Sequence, residues 1–162
     1  MSDNPTAVIN LADLPLHTGA RRDNKVQFGE IGRALGFYRL GAMLHVVQPG
    51  EAAFGYHRHH GCDELFYILS GTGEYRAGDR RLPIKVGDCL GAPAGGFAHQ
   101  IINTGTEELR YLGISNIGDA DLVEHPETGE ASVAIGVRGN IYTDASFSGV
   151  GTLKPYPRRE KS

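Results

Sequence analysis

The chain has 162 residues, the size of one domain with its own core, which leaves no room for a second full domain. Hydrophobic residues make up 40% and charged residues 22%, ordinary globular proportions that exclude a disordered, coiled-coil or collagen-like chain. Lys and Arg number 16 against 19 Asp and Glu, a net charge of −3, so no overall positive field draws nucleic acid or an anionic membrane, and neither is expected as a partner.

No apolar stretch reaches the roughly 18 residues that a bilayer span needs. The first basic residue is Arg21, late for the charged start of a secretory leader. A cytoplasmic location is therefore expected. Glycine, 23 residues in all, is about twice its average usage and follows no three-residue period, which points to many turns. Cys62 and Cys89 are too few for a disulfide framework and read as reduced thiols.

In chain order, residues 1–34 read as an N-terminal arm. The first 23 contain Pro5, Pro15 and Gly19 and show no sustained periodicity. Leu35 to Gln48 is rich in β-branched, aromatic and aliphatic residues and is stopped by Pro49-Gly50, which predicts one or two strands. Short apolar segments then alternate with glycine-containing turns: Ala53 to His59, Glu64 to Leu69, Glu74 to Ala77, Arg81 to Val86, Cys89 to Ala92, His99 to Asn103 and Leu109 to Ser115. Many short strands at close spacing predict an all-β sandwich or barrel over residues 35–115. Residues 116–162 read as an extension that packs on the barrel or on a partner, with a solvated basic end from Lys154 to Arg159.

Three of the seven histidines lie within four residues, at 57, 59 and 60. On a strand, His57 and His59 point to the same face. Glu64 follows past a bend at Gly61, and His99 opens a later strand, so a carboxylate and a third imidazole can face the same point. Three imidazoles and one carboxylate suit a divalent first-row transition metal rather than calcium, with iron, manganese, nickel and zinc all open. A domain of this size folds without a metal, so catalysis or ligand binding is the expected use. His60 has the opposite strand parity and reads as a supporting or surface contact. His17, His45 and His125 read as packed or hydrogen-bonded side chains.

The run Gly50, His57, His59, Glu64, Gly71, followed by Gly87, Pro93, Gly95 or Gly96, His99 and Asn103, resembles the two sequence motifs of the cupin superfamily. Two turns depart from the pattern. Gly50 is one residue too far from His57, and Pro93-Ala94-Gly95 is one too far from His99 unless Gly96 takes the glycine role. The resemblance implies a double-stranded β-helix, a jelly-roll barrel with irregular N- and C-terminal extensions. It also implies one metal held by His57, His59, Glu64 and His99, and a homodimer. Strand parity then turns Phe66, Ile68, Ile101 and Asn103 toward a largely apolar pocket for a small-molecule substrate.

Cupins carry many reactions, so the fold does not choose one. The segment Ala98 to Gly105 is similar to that of the cupin-type sugar-phosphate isomerases, which implies aldose–ketose isomerisation, with the metal polarising substrate oxygens and a carboxylate or imidazole moving the proton, Glu64 being a candidate for both ligand and base. Tyr67 and His60 are further candidates for proton transfer, and Tyr38 for substrate binding. No Gly-rich phosphate loop precedes a helix. The alternatives are an iron-dependent dioxygenase using the same four ligands and a non-enzymatic small-molecule binding or sensor protein.

Overall fold

Two-residue alternation of burial marks the strands in the middle of the chain. Between Thr72 and Ala77, the odd-numbered Gly73, Tyr75 and Ala77 are buried and the even-numbered residues are more open, as expected for a strand with one face on a core. The structure, a computed structural model, describes residues 6–21, 24–116, 118, 120–135 and 147–152.

The elements begin with β1 (His17–Arg21), β2 (Asn24–Gly29), the single helical turn α1 (Ile31–Ala34) and β3 (Leu40–Val47). The barrel continues with β4 (Arg58–His59), β5 (Glu64–Ser70), β6 (Thr72–Ala77), β7 (Arg80–Lys85), β8 (Cys89–Ala92), β9 (His99–Ile102) and β10 (Leu109–Asn116). Beyond it come β11 (Ala120–His125), β12 (Glu130–Ile135) and β13 (Phe147–Thr152).

Among the described residues these strands form three antiparallel sheets, ordered β1-β2-β3-β10-β5-β8, β7-β6-β9 and β13-β12-β11-β4. The first two face each other across one apolar cluster. Val26, Val47, Phe66, Ile68, Leu109 and Tyr111 from the larger sheet meet Tyr75, Ala77, Ile84 and Ile101 from the smaller. The fold is thus an all-β barrel, as the strand spacing predicts, in the jelly-roll form that the resemblance implies.

The extensions differ from the irregular segments expected. In the N-terminal arm, β2 pairs with β3, and Leu14, Ile31, Ala42, Leu44 and Val46 form a second cluster on the outer face of the large sheet. Residues 120–135 and 147–152 build the third sheet, joined to the barrel where β11 pairs with β4. Both sets of strands are organised by pairing with distant neighbours rather than by local periodicity, so tertiary context decides them. The basic end from Lys154 to Arg159 lies outside the described residues.

Ala53 to His59, expected as a strand, is mostly irregular. Only the isolated bridges Ala52–Ile102 and His57–His99 and the two residues of β4 pair there. Gly71, at the β5–β6 turn, has φ +82°, and a Cβ on it would lie 2.5 Å from the Glu108 carbonyl oxygen, so glycine is required there on two independent grounds. In the second motif, Gly95 is the glycine with positive φ, at +66°, and its N–H donates to the His59 carbonyl at 2.8 Å.

Candidate metal centre

Glu64 is the first residue of β5 and shares the inward parity of Phe66 and Ile68. His99 opens β9 with the parity of buried Ile101. His57 reaches β9 through a two-bond bridge, each of His57 and His99 donating its N–H to the other's carbonyl, at 3.1 and 2.7 Å. His59 lies in β4. Three distant segments thereby deliver three imidazoles and a carboxylate to one end of the barrel.

Glu64 Oε2 lies 3.0 Å from His99 Nε2 and 3.6 Å from His59 Nε2. Ligand atoms of His57, Glu64 and His99 all fall within 4.8 Å of one another. The His57 ring centroid is 4.6 Å from that of His99 and 5.1 Å from that of His59. Two ligands at right angles, each about 2.0–2.2 Å from a metal, are about 3 Å apart, so the spacing of His57, Glu64 and His99 fits a single ion, while His59 lies outside that group of ligand atoms and approaches it through Glu64.

Hydrogen bonding supports the same fit. Glu64 Oε2 and both ring nitrogens of His99 are buried with no hydrogen-bond partner, although Oε2 and Nε2 approach to 3.0 Å. Buried polar atoms left unpaired are costly, and a cation between Glu64 Oε2 and His99 Nε2 would remove that cost for these two atoms. His57 Nδ1 lies 2.7 Å from the Gly55 carbonyl. A carbonyl only accepts, so Nδ1 carries the proton and Nε2 keeps its lone pair for a metal.

Burial, helped by the neighbouring His99 and His59, lowers the His57 pKa to about 3 against the opposing pull of Glu64 and the Gly55 carbonyl. The imidazole is neutral at physiological pH, as a ligand must be. For Glu64, burial works to raise the carboxyl. The close His99, with lesser help from His59 and His57, outweighs it and holds the group below the ordinary carboxylate range.

The other residues singled out from the sequence are placed as follows. Phe66, Ile68 and Ile101 line the barrel interior. Tyr67 is on the opposite face of β5 and 38% exposed, and Tyr38 sits exposed before β3. Strand parity separates Tyr67 from Glu64. His60 turns outward to Glu124, with Nε2 3.1 Å from its carboxylate. Asn103 is fully buried, but its amide is spent locally: Nδ2 donates to the Val47 and Glu107 carbonyls, both at 2.8 Å, and Oδ1 accepts from the Gly105 N–H at 3.0 Å. It clamps a loop.

Sequence reasoning missed Asp121, and it read His125 as a packed side chain without placing it beside the site. Both come from β11. Asp121 Oδ2 is 2.5 Å from His59 Nδ1. The His125 ring lies 5.9 Å from that of His57. No local spacing signals either residue, since the pairing of Val123 with His59 is what brings β11 to the site. For Asp121, burial works to raise the carboxyl, but the His59 contact, the Gly61 N–H and the Cys62 thiol outweigh it and lower the pKa. His45, deeper in the barrel, stacks on Tyr111 at 4.7 Å, and burial lowers its pKa to about 4 despite the Glu64 charge.

Among the described residues no helix is long and apolar enough to cross a membrane. Residues 43–115 match the family model of the cupin domain. A curated relative, the oxalate-binding protein of Thermotoga maritima, is 36% identical over 66 residues, which are 41% of this chain. The match spans 54% of that relative, so the chain covers about half its length. Among solved structures, a candidate sugar phosphate isomerase from Acidithiobacillus ferrooxidans aligns with a TM-score of 0.78 at 24% identity, covering 93% of this chain and 97% of that one. A cupin-superfamily sugar phosphate isomerase from Silicibacter pomeroyi aligns with a TM-score of 0.76 at 18% identity, covering 90% and 92%. At these identities the likeness is one of fold. Taken with the two motifs and the barrel that presents them, these matches make residues 43–115 similar to the cupin domain.

Proposed function

We propose that the protein is a mononuclear, metal-dependent cupin in which His57, His59, Glu64 and His99 hold one divalent transition metal, and that it isomerises a small sugar or sugar phosphate. The observation that carries the metal reading is the convergence of Glu64 Oε2 and His99 Nε2, buried and without hydrogen-bond partners, beside His57 and His59. A metal in this position supplies Lewis-acid polarisation of the substrate's carbonyl and hydroxyl oxygens.

The chain's own residues would do the rest. Glu64 is the carboxylate placed among the imidazoles, and it moves the proton between adjacent substrate carbons. Phe66, Ile68 and Ile101 keep the surroundings apolar, which excludes water and strengthens electrostatic interactions in the site. Tyr67 and His60 face away from this point and take no part in proton transfer; Tyr38 and Asn103 take none in substrate binding. The isomerase reading draws on the Ala98 to Gly105 resemblance and on the names carried by the two fold neighbours, both of which share nearly the whole chain. A cytoplasmic homodimer acting on small molecules, without a nucleic-acid partner, belongs to the same proposal.

The test is the chain loaded separately with manganese, iron, nickel or zinc and followed by NMR with a panel of aldose and ketose phosphates. Metal-dependent interconversion, lost in Glu64→Ala, is the expected result. Oxygen consumption in place of isomerisation would overturn the reading in favour of a dioxygenase. A second reading, binding without turnover, is favoured by the match to the oxalate-binding protein. It predicts that oxalate raises the melting temperature of the metal-loaded chain while no panel member is converted.

A further inference from the structure

The third sheet brings a carboxylate against the back of the candidate centre. β11 pairs with β4 through Val123–His59 and Glu124–Arg58, and the His60 N–H donates to the Leu122 carbonyl at 2.9 Å. Asp121 is therefore held beside His59, 62 positions away in the chain. Its two oxygens have separate tasks. Oδ2 lies 2.5 Å from His59 Nδ1, and Oδ1 accepts the Gly61 N–H at 2.9 Å. Gly61 permits this approach, since a Cβ there would lie 2.7 Å from the Ala120 carbonyl oxygen and 3.2 Å from Asp121 Oδ1.

A carboxylate only accepts hydrogen bonds. A contact of this length at Nδ1 therefore requires Nδ1 to carry the imidazole proton, which leaves the lone pair on Nε2, the nitrogen facing Glu64 at 3.6 Å. We propose that Asp121 is a positioning residue of the metal centre: it fixes His59 in the Nδ1–H tautomer and sets the plane of its ring, so the C-terminal extension completes the site. The inference rests on the metal reading above and adds a residue outside the two motifs that carry the family resemblance. It also gives the extension a chemical role besides packing.

Replacing Asp121 with Asn makes the proposal sharp. The Gly61 N–H orients the new amide, because it needs the Oδ1 acceptor, and the NH2 group then faces His59. Nδ1 must become the acceptor, and the proton moves to Nε2, where it blocks coordination. Asp121→Ala removes the Gly61 contact as well but leaves the imidazole free to choose its tautomer. A structural role predicts that Ala is the worse substitution. A tautomer role predicts that Asn is worse.

The experiment uses the full chain labelled with 15N-histidine, first metal-free and then titrated with zinc against a competing chelator. Expected are a His59 with protonated Nδ1 and bare Nε2 in the wild type, the reverse pattern in Asp121→Asn, and a 10–100-fold loss of zinc affinity in Asp121→Asn. Asp121→Ala should lose less, and circular dichroism should be unchanged in both variants. The proposal is overturned by an Nε2–H His59 in the wild type, by Asp121→Asn binding zinc as tightly as wild type, or by Ala losing more affinity than Asn. His59, Cys62 and Asp121 also lie within 4.8 Å of one another, so a second zinc per chain that disappears in Asp121→Ala would overturn it too. Failure of wild type to bind zinc, iron, manganese or nickel would remove the metal reading itself, and the positioning role with it. Tight wild-type binding with an indifferent Asp121→Asn removes the positioning role alone.

Discussion

Glu64 Oε2 lies 3.0 Å from His99 Nε2, joining the first residue of β5 to the first residue of β9. The two strands belong to different sheets, so the contact ties one wall of the barrel to the other. Both atoms are buried and neither has a hydrogen-bond partner. A hydrophobic barrel of this size gains nothing from such a pair left as it is.

Removing a histidine of the cluster should therefore cost metal rather than fold. His99→Ala and His59→Ala are each expected to weaken metal binding by more than about 100-fold, beyond the range seen for supporting residues, while the sheet signal in circular dichroism persists. Elemental analysis of the purified variants beside wild type gives the occupancy. Collapse of the sheet in the variants would show that the cluster serves folding instead.

The metal-free protein should lose stability in mild acid. His45 and His57 have folded pKa values of about 4 and about 3 against an ordinary 6.5. Between those limits the unfolded chain binds more protons, so stability rises with pH. The contribution is complete above pH 6.5 and is lost as the pH falls toward 4 for His45 and toward 3 for His57. Lowered pKa values at Glu64 and Asp121 act in the same direction at still lower pH. His45→Leu should flatten the fall between pH 7 and 4 by about 3 kcal/mol at most. Melting curves across that range would show it, and an unchanged slope would assign the acid sensitivity elsewhere.

Asn103→Ala separates a loop clamp from a substrate contact. The variant loses bonds to the Val47 and Glu107 carbonyls and to the Gly105 N–H, all in a fully buried place. A destabilisation of about 3 kcal/mol is expected, with metal affinity unchanged. Denaturant titration and metal titration of one preparation measure both. Normal stability with weakened ligand binding would return Asn103 to the pocket.

Gly71→Ala should be costly on two grounds. The residue would keep φ near +82° and place its Cβ 2.5 Å from the Glu108 carbonyl oxygen. The conformation alone costs about 1–2 kcal/mol, and overpacking adds about 1–3 kcal/mol. Gly87→Ala is the control, because its φ is also positive, at +90°, but nothing lies within 4 Å of the added Cβ. Equal losses in the two variants would mean that the Glu108 contact relaxes freely.

Much of the barrel was legible because period-two burial is a local property. The inward set Glu64, Phe66 and Ile68 follows from parity once one member is assigned. The same parity puts Tyr67 outside, which makes it a poor candidate for proton transfer from the sequence onward. Asn103 was harder to read. Its position on the strand face is inward, but the Val47 carbonyl of β3 and two partners in the following loop, Gly105 and Glu107, absorb its amide. Asp121 and His125 had no signal at all, since their nearness to His59 and His57 exists only after β11 pairs with β4. The arm strands β1 and β2 were hidden for a related reason, β2 being organised by pairing with β3 and β1 by pairing with β2.

The central claim is one metal ion at the meeting point of His57, His59, Glu64 and His99. Crystals of chain purified without chelator, measured at the absorption edge of the metal found by elemental analysis, test it most directly. The account predicts a single anomalous peak about 2.0–2.3 Å from a nitrogen of each histidine and an oxygen of Glu64. A metal-free barrel, or a peak that any of the four side chains fails to reach, would contradict it.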